Sequence, residues 1–299
     1  MAIGDGVMGV FDPSVHGGVM VYSAVDVSPV HGWGLVSTRI KAPDGKDVLL
    51  FPSLDGDTWA VNFETPSVMV QGPHITIAAT VMMQSAEAPG DAWRRYDMSA
   101  TRIIVSHDGS EPQTLLAGSL YNEIAHGPSM FRYNDALAYA EPSLLKAPHG
   151  YWLACQAHFG ARPSETRIRL FNVVEDSLVV VGDFFTDRDL QYLRIFHRDK
   201  FAQLAAFAAP NLFEHGGKTY LMVTPMDGSF TYQGTAVFEV EDISRARLVR
   251  QWGILPKLVA WVPPAGVHEG AGCHTDQIVV SRLIDSRFTI VETGVRLPS

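Results

Sequence analysis

The stretch Ala140-Glu141-Pro142-Ser143-Leu144 is one of four copies of a short motif in this chain of 299 residues. Each copy has a variable residue, then proline, then a small polar residue and an apolar residue. The other copies are Phe11-Asp12-Pro13-Ser14-Val15, Glu64-Thr65-Pro66-Ser67-Val68 and Ala208-Ala209-Pro210-Asn211-Leu212. The copies recur with a period of about 55 to 75 residues, which is typical of a chain built from repeated structural units.

A second motif, usually Thr-Arg-Ile, follows each proline motif within the same unit. Its copies are Thr38-Arg39-Ile40, Thr101-Arg102-Ile103, Thr166-Arg167-Ile168 and the diverged Thr235-Ala236-Val237. The second unit is longer than the others, which indicates an insertion around residues 86–95. A fifth unit is expected near Gly272-Cys273-His274, with strands over 277–282 and 287–292.

Between these motifs the apolar segments are short, rich in Val, Ile, Phe and Tyr, and separated by Gly, Pro, Asp and Asn. Such segments predict strands joined by turns. A helix is expected only around residues 187–206. Each repeat accommodates four short strands, the size of a propeller blade. We therefore predict an all-β, five-bladed β-propeller that forms a single domain over residues 1–299; a β-sandwich with coincidental Pro-Ser pairs is the alternative.

Composition excludes several classes of function. The net charge of −9 and the absence of a basic run disfavour binding to nucleic acid or to an anionic membrane. No apolar stretch approaches the roughly 20 residues that span a bilayer, and the first residues lack the pattern of a secretory signal. The two cysteines, Cys155 and Cys273, do not make a disulfide framework. We expect a soluble, cytoplasmic protein, with a processed mature chain as the alternative; composition predicts no oligomeric state.

The repeat also predicts where a site lies. The innermost strands of a propeller line its central channel, so equivalent residues of successive units converge on one axis. Asp12, Glu64, Glu141 and His274 are therefore expected to meet in one axial pocket. Carboxyl groups gathered in a desolvated cleft push each other's pKa values apart, which provides the acid and the base that glycoside hydrolysis needs. Taken singly, each residue could instead begin a strand or a turn.

These motifs resemble those of the five-bladed propeller glycoside hydrolases of families 32, 43 and 68. Phe11-Asp12-Pro13 is similar to their first-blade Asp-Pro motif, and Glu141-Pro142-Ser143 stands where they have Arg-Asp-Pro. Residues 207–213 resemble their fourth-blade Trp-Glu-Cys-Pro-Asp-Leu-Phe, and residues 270–274 resemble a fifth-blade Gly-Ala-Cys-x-Tyr-His segment. The resemblance implies a carbohydrate-like ligand at the axis, with Asp12 as base or nucleophile and Glu141 as stabiliser of the transition state.

The chain departs from the pattern of these families at one decisive position. Their general acid is the fourth-blade Glu, and this chain has Ala208 there. Glu64 is predicted to replace it. The first hypothesis is therefore a glycoside hydrolase-like enzyme acting on a small glycoside or oligosaccharide. The alternatives are a non-hydrolytic propeller that binds a sugar-like ligand or uses a metal at His274, and a propeller that binds another protein through an apolar face.

Further residues are predicted to contact a substrate around the mouth of the axial pocket. They are His274, Trp33, His126, His158 and Arg95. Trp33 offers a flat face on which a sugar could stack, and Arg95 belongs to the second-unit insertion. His274 could also hold a divalent metal ion with Asp12 or Glu141. The plainer alternative is that the histidines and Arg95 belong to solvated loops.

Overall fold

A computed structural model describes residues 8–28, 34–41, 45, 47–85, 97–266, 268–274 and 277–298 of the chain. It describes the backbone alone of Met8, His268, Glu269, Cys273 and His274. Strands dominate the described residues, and each strand mostly pairs antiparallel with the next one along the chain. We group the strands into five units, named here unit 1 to unit 5; units 5 and 1 belong to one seven-stranded sheet.

The strands of each unit follow in chain order. Unit 1 contains β1 (Met8–His16), β2 (Val19–Val27), β3 (Gly34–Lys41) and β4 (Asp47–Phe51). Unit 2 contains β5 (Leu54–Asp55), β6 (Trp59–Gln71), β7 (His74–Ser85), β8 (Arg102–His107), β9 (Gln113–Ala117) and β10 (Phe131–Arg132). Unit 3 contains β11 (Ala138–Lys146), β12 (Tyr151–His158), β13 (Thr166–Val174) and β14 (Ser177–Asp183). Unit 4 contains β15 (Ala206–His215), β16 (Lys218–Met226), β17 (Thr235–Asp242), β18 (Arg247–Leu248), β19 (Arg250–Gln251), β20 (Leu255–Pro256) and β21 (Leu258–Val262). Unit 5 contains β22 (His268–His274), β23 (Gln277–Ile284) and β24 (Arg287–Arg296).

Helices are few among the described residues. They are α1 (Glu123–His126), α2 (Asp187–Phe196) and α3 (Arg198–Phe201), with 3₁₀ turns at Pro163–Glu165 and Ile243–Arg245. The helix predicted around 187–206 is confirmed over residues 187–201, where it is split at His197, and residue 206 instead begins β15. Thr186 begins α2 because its hydroxyl accepts the N–H of Asp189, whose carboxylate accepts the N–H of Thr186 in return. No described helix is long and apolar enough to cross a membrane.

The first long strand of each unit, called its first strand here because β5 has only two residues, belongs to a closed cycle. Strand β1 packs against β6, β6 against β11, β11 against β15, β15 against β22, and β22 against β1. The cycle is closed on its outer side where β24 pairs parallel with β1, Gly9 opposite Phe288. The motif residues lie on these first strands, so the fold brings them around one axis.

Apolar side chains fill the spaces between neighbouring units. Units 3 and 4 share the most aromatic cluster, in which the rings of Phe185 and Phe207 lie 4.3 Å apart. Units 5 and 1 share a smaller cluster that includes Phe11 and Phe288, whose rings lie 5.5 Å apart. Because each sheet has apolar neighbours on both faces, the short strands can be as apolar as the sequence shows. This face-to-face packing of sheets around an axis is the arrangement of a β-propeller.

Candidate axial site

The proline motif of units 1 to 4 and its equivalent in unit 5 form the same backbone kink. The register of the first two strands shifts at each motif, for example between Ala140 and Ser143, which marks a β-bulge. The residue at the kink has a φ between 46° and 54°, a left-handed conformation that residues with a side chain rarely adopt. These five residues are Asp12, Thr65, Glu141, Ala209 and Gly270. The equivalent of Asp12 in unit 5 is therefore Gly270, four residues before His274, where the sequence has no proline to mark it.

The small polar residue after each proline joins neighbouring units. The hydroxyl of Ser67 accepts the N–H of Leu144 at 2.9 Å, and that of Ser143 accepts the N–H of Leu212 at 2.7 Å. Ser14 accepts from Val68 in the same way. Between units 4 and 5, the side-chain amide of Asn211 instead donates to a carbonyl of the next unit. The Pro-Ser repeat thus ties the first strands of units 1, 2 and 3 to the first strand of the unit that follows.

A second polar ring lies on the second strand of each unit. Its members are all buried. The backbone of each one pairs with the residue that directly precedes the kinked residue of the same unit. They are Ser23, Thr80, Gln156, Thr224 and Ser281. The N–H of Thr65 donates to the hydroxyl of Ser23 at 2.9 Å, and the N–H of Glu141 donates to that of Thr80 at 2.7 Å. This ring supplies an acceptor in unit 1 and in unit 2 for the kinked residue of the unit that follows.

The kinked residues surround one narrow axial cavity of about 30 Å³. Asp12 and Glu141 both line it, as do Thr65, Ala209 and Gly270. A volume of 30 Å³ is close to the share of one water molecule. A ligand of sugar size would therefore lie at the mouth of the cavity, with the axial side chains beneath it.

The carboxylate of Glu141 forms hydrogen bonds with unit 4. Oε2 accepts the N–H of Ala209 in unit 4 at 2.6 Å, and Oε1 accepts the hydroxyl of Tyr232 at 3.3 Å. We call the boundary between two neighbouring units a seam. At the seam between units 3 and 4 the carboxylate of Glu141 therefore takes the place of a second-strand side chain. Burial raises the pKa of the Glu141 carboxyl, and these two hydrogen bonds act in the opposite direction because they favour the ionised form.

The structure places Glu64 one position away from the axial ring. It is buried on β6, opposite Thr80, at the position that Phe11, Ala140 and Ala208 occupy in other units. The residues that line the axial cavity in the described part of the chain include Asp12 and Glu141 but not Glu64. The role of Glu64 as replacement acid stays a prediction.

The residues predicted to contact a substrate are spread over the chain. His126 ends α1, and burial, together with the nearby Arg102, lowers its pKa. His158 ends β12, where burial lowers its pKa to about 4. Neither of them lines the axial cavity in the described part of the chain. Trp33 and Arg95 lie outside the described residues, and their contacts stay predictions.

The metal prediction at His274 concerns a side chain that is not described. His274 is the last residue of β22, and its backbone pairs with that of Gln277. Among the side chains that the structure describes, no group of three or more His, Cys, Asp or Glu is placed to hold a metal ion. A divalent metal at the axis stays a prediction.

Tyr232 is a residue of the site that the sequence did not reveal. It lies in the loop of residues 227–234 between β16 and β17, and its backbone forms an isolated β-bridge with Met226. Its ring packs against Ala206, Ala208 and Met226. Asp227 fixes the loop by accepting the N–H groups of residues 229 and 231. No repeat marks this tyrosine, because loops between second and third strands differ in each unit.

Ala208 is fully buried, in a small apolar cluster against which Tyr232 packs. An alanine has no group that could donate a proton, and this side chain has no access to a ligand. The structure therefore agrees with the departure seen in the sequence: the fourth unit carries no acid at this position.

Comparisons with known proteins identify the fold. No family model matches the chain, and no curated protein matches its sequence. A GH32 β-fructofuranosidase of Bombyx mori, solved as a mutant with sucrose, superposes with a TM-score of 0.53 at 13% identity over 97% of this chain and 64% of its own. Native Bacillus subtilis arabinanase superposes with a TM-score of 0.52 at 11% identity, over 96% of this chain and 95% of its own. A sucrose-6-phosphate hydrolase from Lactobacillus gasseri superposes with a TM-score of 0.52 at 10% identity, over 97% of this chain and 62% of its own.

These similarities establish the fold alone. The chain has the β-propeller fold of glycoside hydrolase-like proteins. It spans about 64% of the length of the silkworm enzyme and nearly all of the arabinanase. At identities of 10 to 13%, the similarity does not transfer a catalytic residue or a substrate.

Proposed function

We propose that this chain is a glycoside hydrolase-like enzyme that acts on a small glycoside or oligosaccharide at the mouth of the axial cavity. We take the five units to be the five blades of one domain. The observation that carries the proposal is that Asp12 and Glu141, 129 residues apart in the sequence, line the same cavity. Both stand at strained left-handed positions, and such strain clusters at functional sites.

Most glycoside hydrolases use two carboxyl groups that flank the glycosidic bond of the substrate. We assign Asp12 the role of base or nucleophile and Glu141 the stabilisation of the positively charged, oxocarbenium-like transition state. A separation of about 5 Å between the reacting carboxyl groups would give retention, and about 6.5 to 9.5 Å would give inversion through an intervening water.

The structural neighbours support a carbohydrate-like ligand. The silkworm enzyme was solved with sucrose, and the Lactobacillus protein is a sucrose-6-phosphate hydrolase. The acidic charge of this chain is compatible with a neutral sugar and disfavours a polyanionic substrate.

The decisive experiment is an activity screen of the purified chain with Asp12→Asn as its partner variant. The panel contains 4-nitrophenyl furanosides and pyranosides, sucrose and arabinan. We expect hydrolysis of at least one glycoside, and a loss of at least about 100-fold in Asp12→Asn, typical of removing an acid–base group. The matched control is Asp176→Asn in the exposed turn before β14. Full activity in a folded Asp12→Asn protein would remove Asp12 from the mechanism.

A second candidate is a propeller that binds a sugar-like ligand without cleaving it. The buried Ala208 favours it, because the position that resembles a general acid carries none. The hydrogen bond of Glu141 to the N–H of Ala209 also favours it, since a seam bond is a structural role. Calorimetric binding of a sugar from the panel, with no turnover of its glycosides, would select this candidate.

A further inference from the structure

The carboxylate of Glu141 crosses from unit 3 into unit 4. It accepts the backbone N–H of Ala209, so it lies beside the residue that directly follows Ala208. At the two preceding seams a second-strand hydroxyl accepts the corresponding N–H, from Ser23 or Thr80. The third unit has Gln156 at that second-strand position, and the carboxylate of Glu141 accepts the N–H instead.

The length of the Glu141 side chain makes this reach possible. Asp12 is one methylene shorter, and Ala209 and Gly270 have no side chain that could span a seam. Glu141 thus brings a carboxyl group from the third unit to the backbone of the fourth unit, next to the position where a carboxyl is absent.

Tyr232 holds this carboxyl group from the other side. Tyr232 packs against the apolar cluster that contains Ala208, and its hydroxyl donates to Oε1 of Glu141 at 3.3 Å. The loop that carries Tyr232 is fixed by Asp227 and by the β-bridge to Met226. The alanine at 208 and the tyrosine at 232 therefore belong to one arrangement that presents Glu141.

We propose that Glu141 is the proton donor of the axial site, in place of the carboxyl group absent at position 208, and that Tyr232 is the residue that positions it. This inference rests on the proposed glycosidase function. It moves the acid from Glu64, where the sequence placed it, to a carboxyl group that lines the cavity, so that Glu141 acts as the acid rather than as the stabiliser of the transition state.

The step is a hydrolysis in which each proton has a place. Oε2 accepts the N–H of Ala209, so the proton is carried on Oε1, whose remaining lone pair accepts the hydroxyl of Tyr232. That proton passes to the glycosidic oxygen while the bond from the anomeric carbon to this oxygen breaks, and the bonding electron pair stays on the oxygen. A water molecule forms the new bond to the anomeric carbon and gives a proton to the carboxylate of Asp12. Both carboxyl groups then return to their first states by exchange with solvent.

The surroundings of Glu141 suit a proton donor. Burial raises its pKa, which is what a carboxylic acid needs to stay protonated towards neutral pH. Among the described residues, the titratable groups near it include Tyr232 from the 227–234 loop, Cys155 from β12 and Asp12 across the cavity. Burial holds Cys155 as the neutral thiol, so it adds no charge.

The test compares two leaving groups on the sugar that the wild type hydrolyses. A 2,4-dinitrophenyl glycoside needs no proton donor, because its phenolate leaves unaided, whereas a methyl glycoside needs one. We expect Glu141→Gln to lose about 10²- to 10⁴-fold in kcat/KM on the methyl glycoside and less than about tenfold on the dinitrophenyl glycoside. Asp12→Asn is expected to lose activity on both.

Tyr232→Phe tests the positioning role through the pH profile. Its hydroxyl stabilises the ionised form of Glu141, so its removal is expected to shift the alkaline limb of the kcat profile to higher pH. Tyr192→Phe on α2, whose hydroxyl accepts a hydrogen bond from Arg188, is the matched control and should leave the profile unchanged. An unchanged profile in a folded Tyr232→Phe protein would overturn the role of Tyr232.

The outcomes separate the two proposals. A wild type that cleaves no glycoside overturns the proposed function and this inference with it. A wild type that cleaves glycosides, with Glu141→Gln equally impaired or equally active on both substrates, overturns the inference alone. Glu64→Gln showing the leaving-group pattern would return the acid to Glu64. If Glu141→Gln does not fold, Glu141→Asp, which withdraws the carboxyl by one methylene, is compared in the same way.

Discussion

Gly270 of unit 5 leaves the space that the carboxylate of Asp12 in unit 1 occupies. A β-carbon built on Gly270 would overlap Oδ1 of Asp12 and would also approach its Cα to 3.0 Å. The φ of Gly270 is 53°, so glycine is favoured there by conformation as well as by space. The position of the Asp12 side chain therefore depends on the absence of a side chain in a neighbouring unit.

Gly270→Ala is expected to destabilise the protein and to displace Asp12. A left-handed alanine costs roughly 1 to 2 kcal/mol, and the overlap adds about 1 to 3 kcal/mol. Gly216→Ala is the matched control, because its φ is 58° and nothing lies within 4 Å of the added β-carbon. Urea unfolding of both variants measures the difference. Equal losses of stability would show that the Asp12 carboxylate does not fill this space.

Ser67→Ala is expected to weaken the seam between units 2 and 3. The substitution leaves the buried N–H of Leu144 without its acceptor, which costs about 1 to 3 kcal/mol in the free energy of unfolding. The exposed Ser177→Ala on β14 should change it by less than about 0.5 kcal/mol. Chemical denaturation compares the two. A loss in Ser67→Ala no larger than that in the control would mean that the seam bonds do not stabilise the fold.

Glu141→Gln should remove a pH dependence of stability. The folded pKa of Glu141 is raised, so the folded state binds more protons than the unfolded state above the unfolded pKa, near 4.5. Wild-type stability should therefore fall as the pH rises through the folded pKa, and Glu141→Gln, which keeps the shape, should lack this fall. Denaturation at a series of pH values measures it.

Glu165→Gln is the contrasting control for that experiment. The hydrogen bonds and charge of Arg162 lower the pKa of Glu165 to about 2. Its contribution to stability is therefore present above pH 4.5 and is lost as the pH falls towards 2, the opposite direction to Glu141. A Glu141→Gln protein whose stability falls with rising pH just as the wild type does would contradict the raised pKa.

His158 should remain neutral in the folded protein at pH 5. Burial lowers its pKa to about 4. Between pH 6.5 and pH 4 the imidazole is therefore protonated in the unfolded state and neutral in the folded state. Stability should therefore fall as the pH is lowered through this range, and His158→Gln should reduce the fall. An NMR titration of the imidazole gives the pKa directly, with the exposed His74 as reference. A midpoint above 6 would contradict the burial effect.

Much of the fold could be predicted because the motif has a backbone cause. Proline after a kinked residue, followed by serine or asparagine, recurs since each first strand needs the same bulge and the same seam bond. The placement of Asp12 and Glu141 on one axis follows from that regularity. The helix near α2 was predictable because its start carries Thr186 and Asp189, a pair of capping residues.

The rest of the site has no signal of its own in one sequence. Unit 5 uses Gly270 and Ala271 where other units use a residue and proline, so its kink was expected too late in the chain. The reach of Glu141 depends on one extra methylene, which a motif match treats as a substitution of one acid for another. Tyr232 comes from a loop, and only the folded chain brings it to Ala208.

In the cycle of β-bulges, the hydrogen bonds that fix the backbone are separate from the side chains that line the axis. Hydrogen bonds that involve the side chains of serine, threonine and asparagine set the backbone around the axis, while the kinked residue itself varies among Asp, Thr, Glu, Ala and Gly in one molecule. Thr65 and Ala209 are therefore positions on the axis where a different side chain could be placed. An acid, an imidazole or an amide placed at either position would face the same axis. New side-chain chemistry could therefore be introduced there without redesign of the backbone.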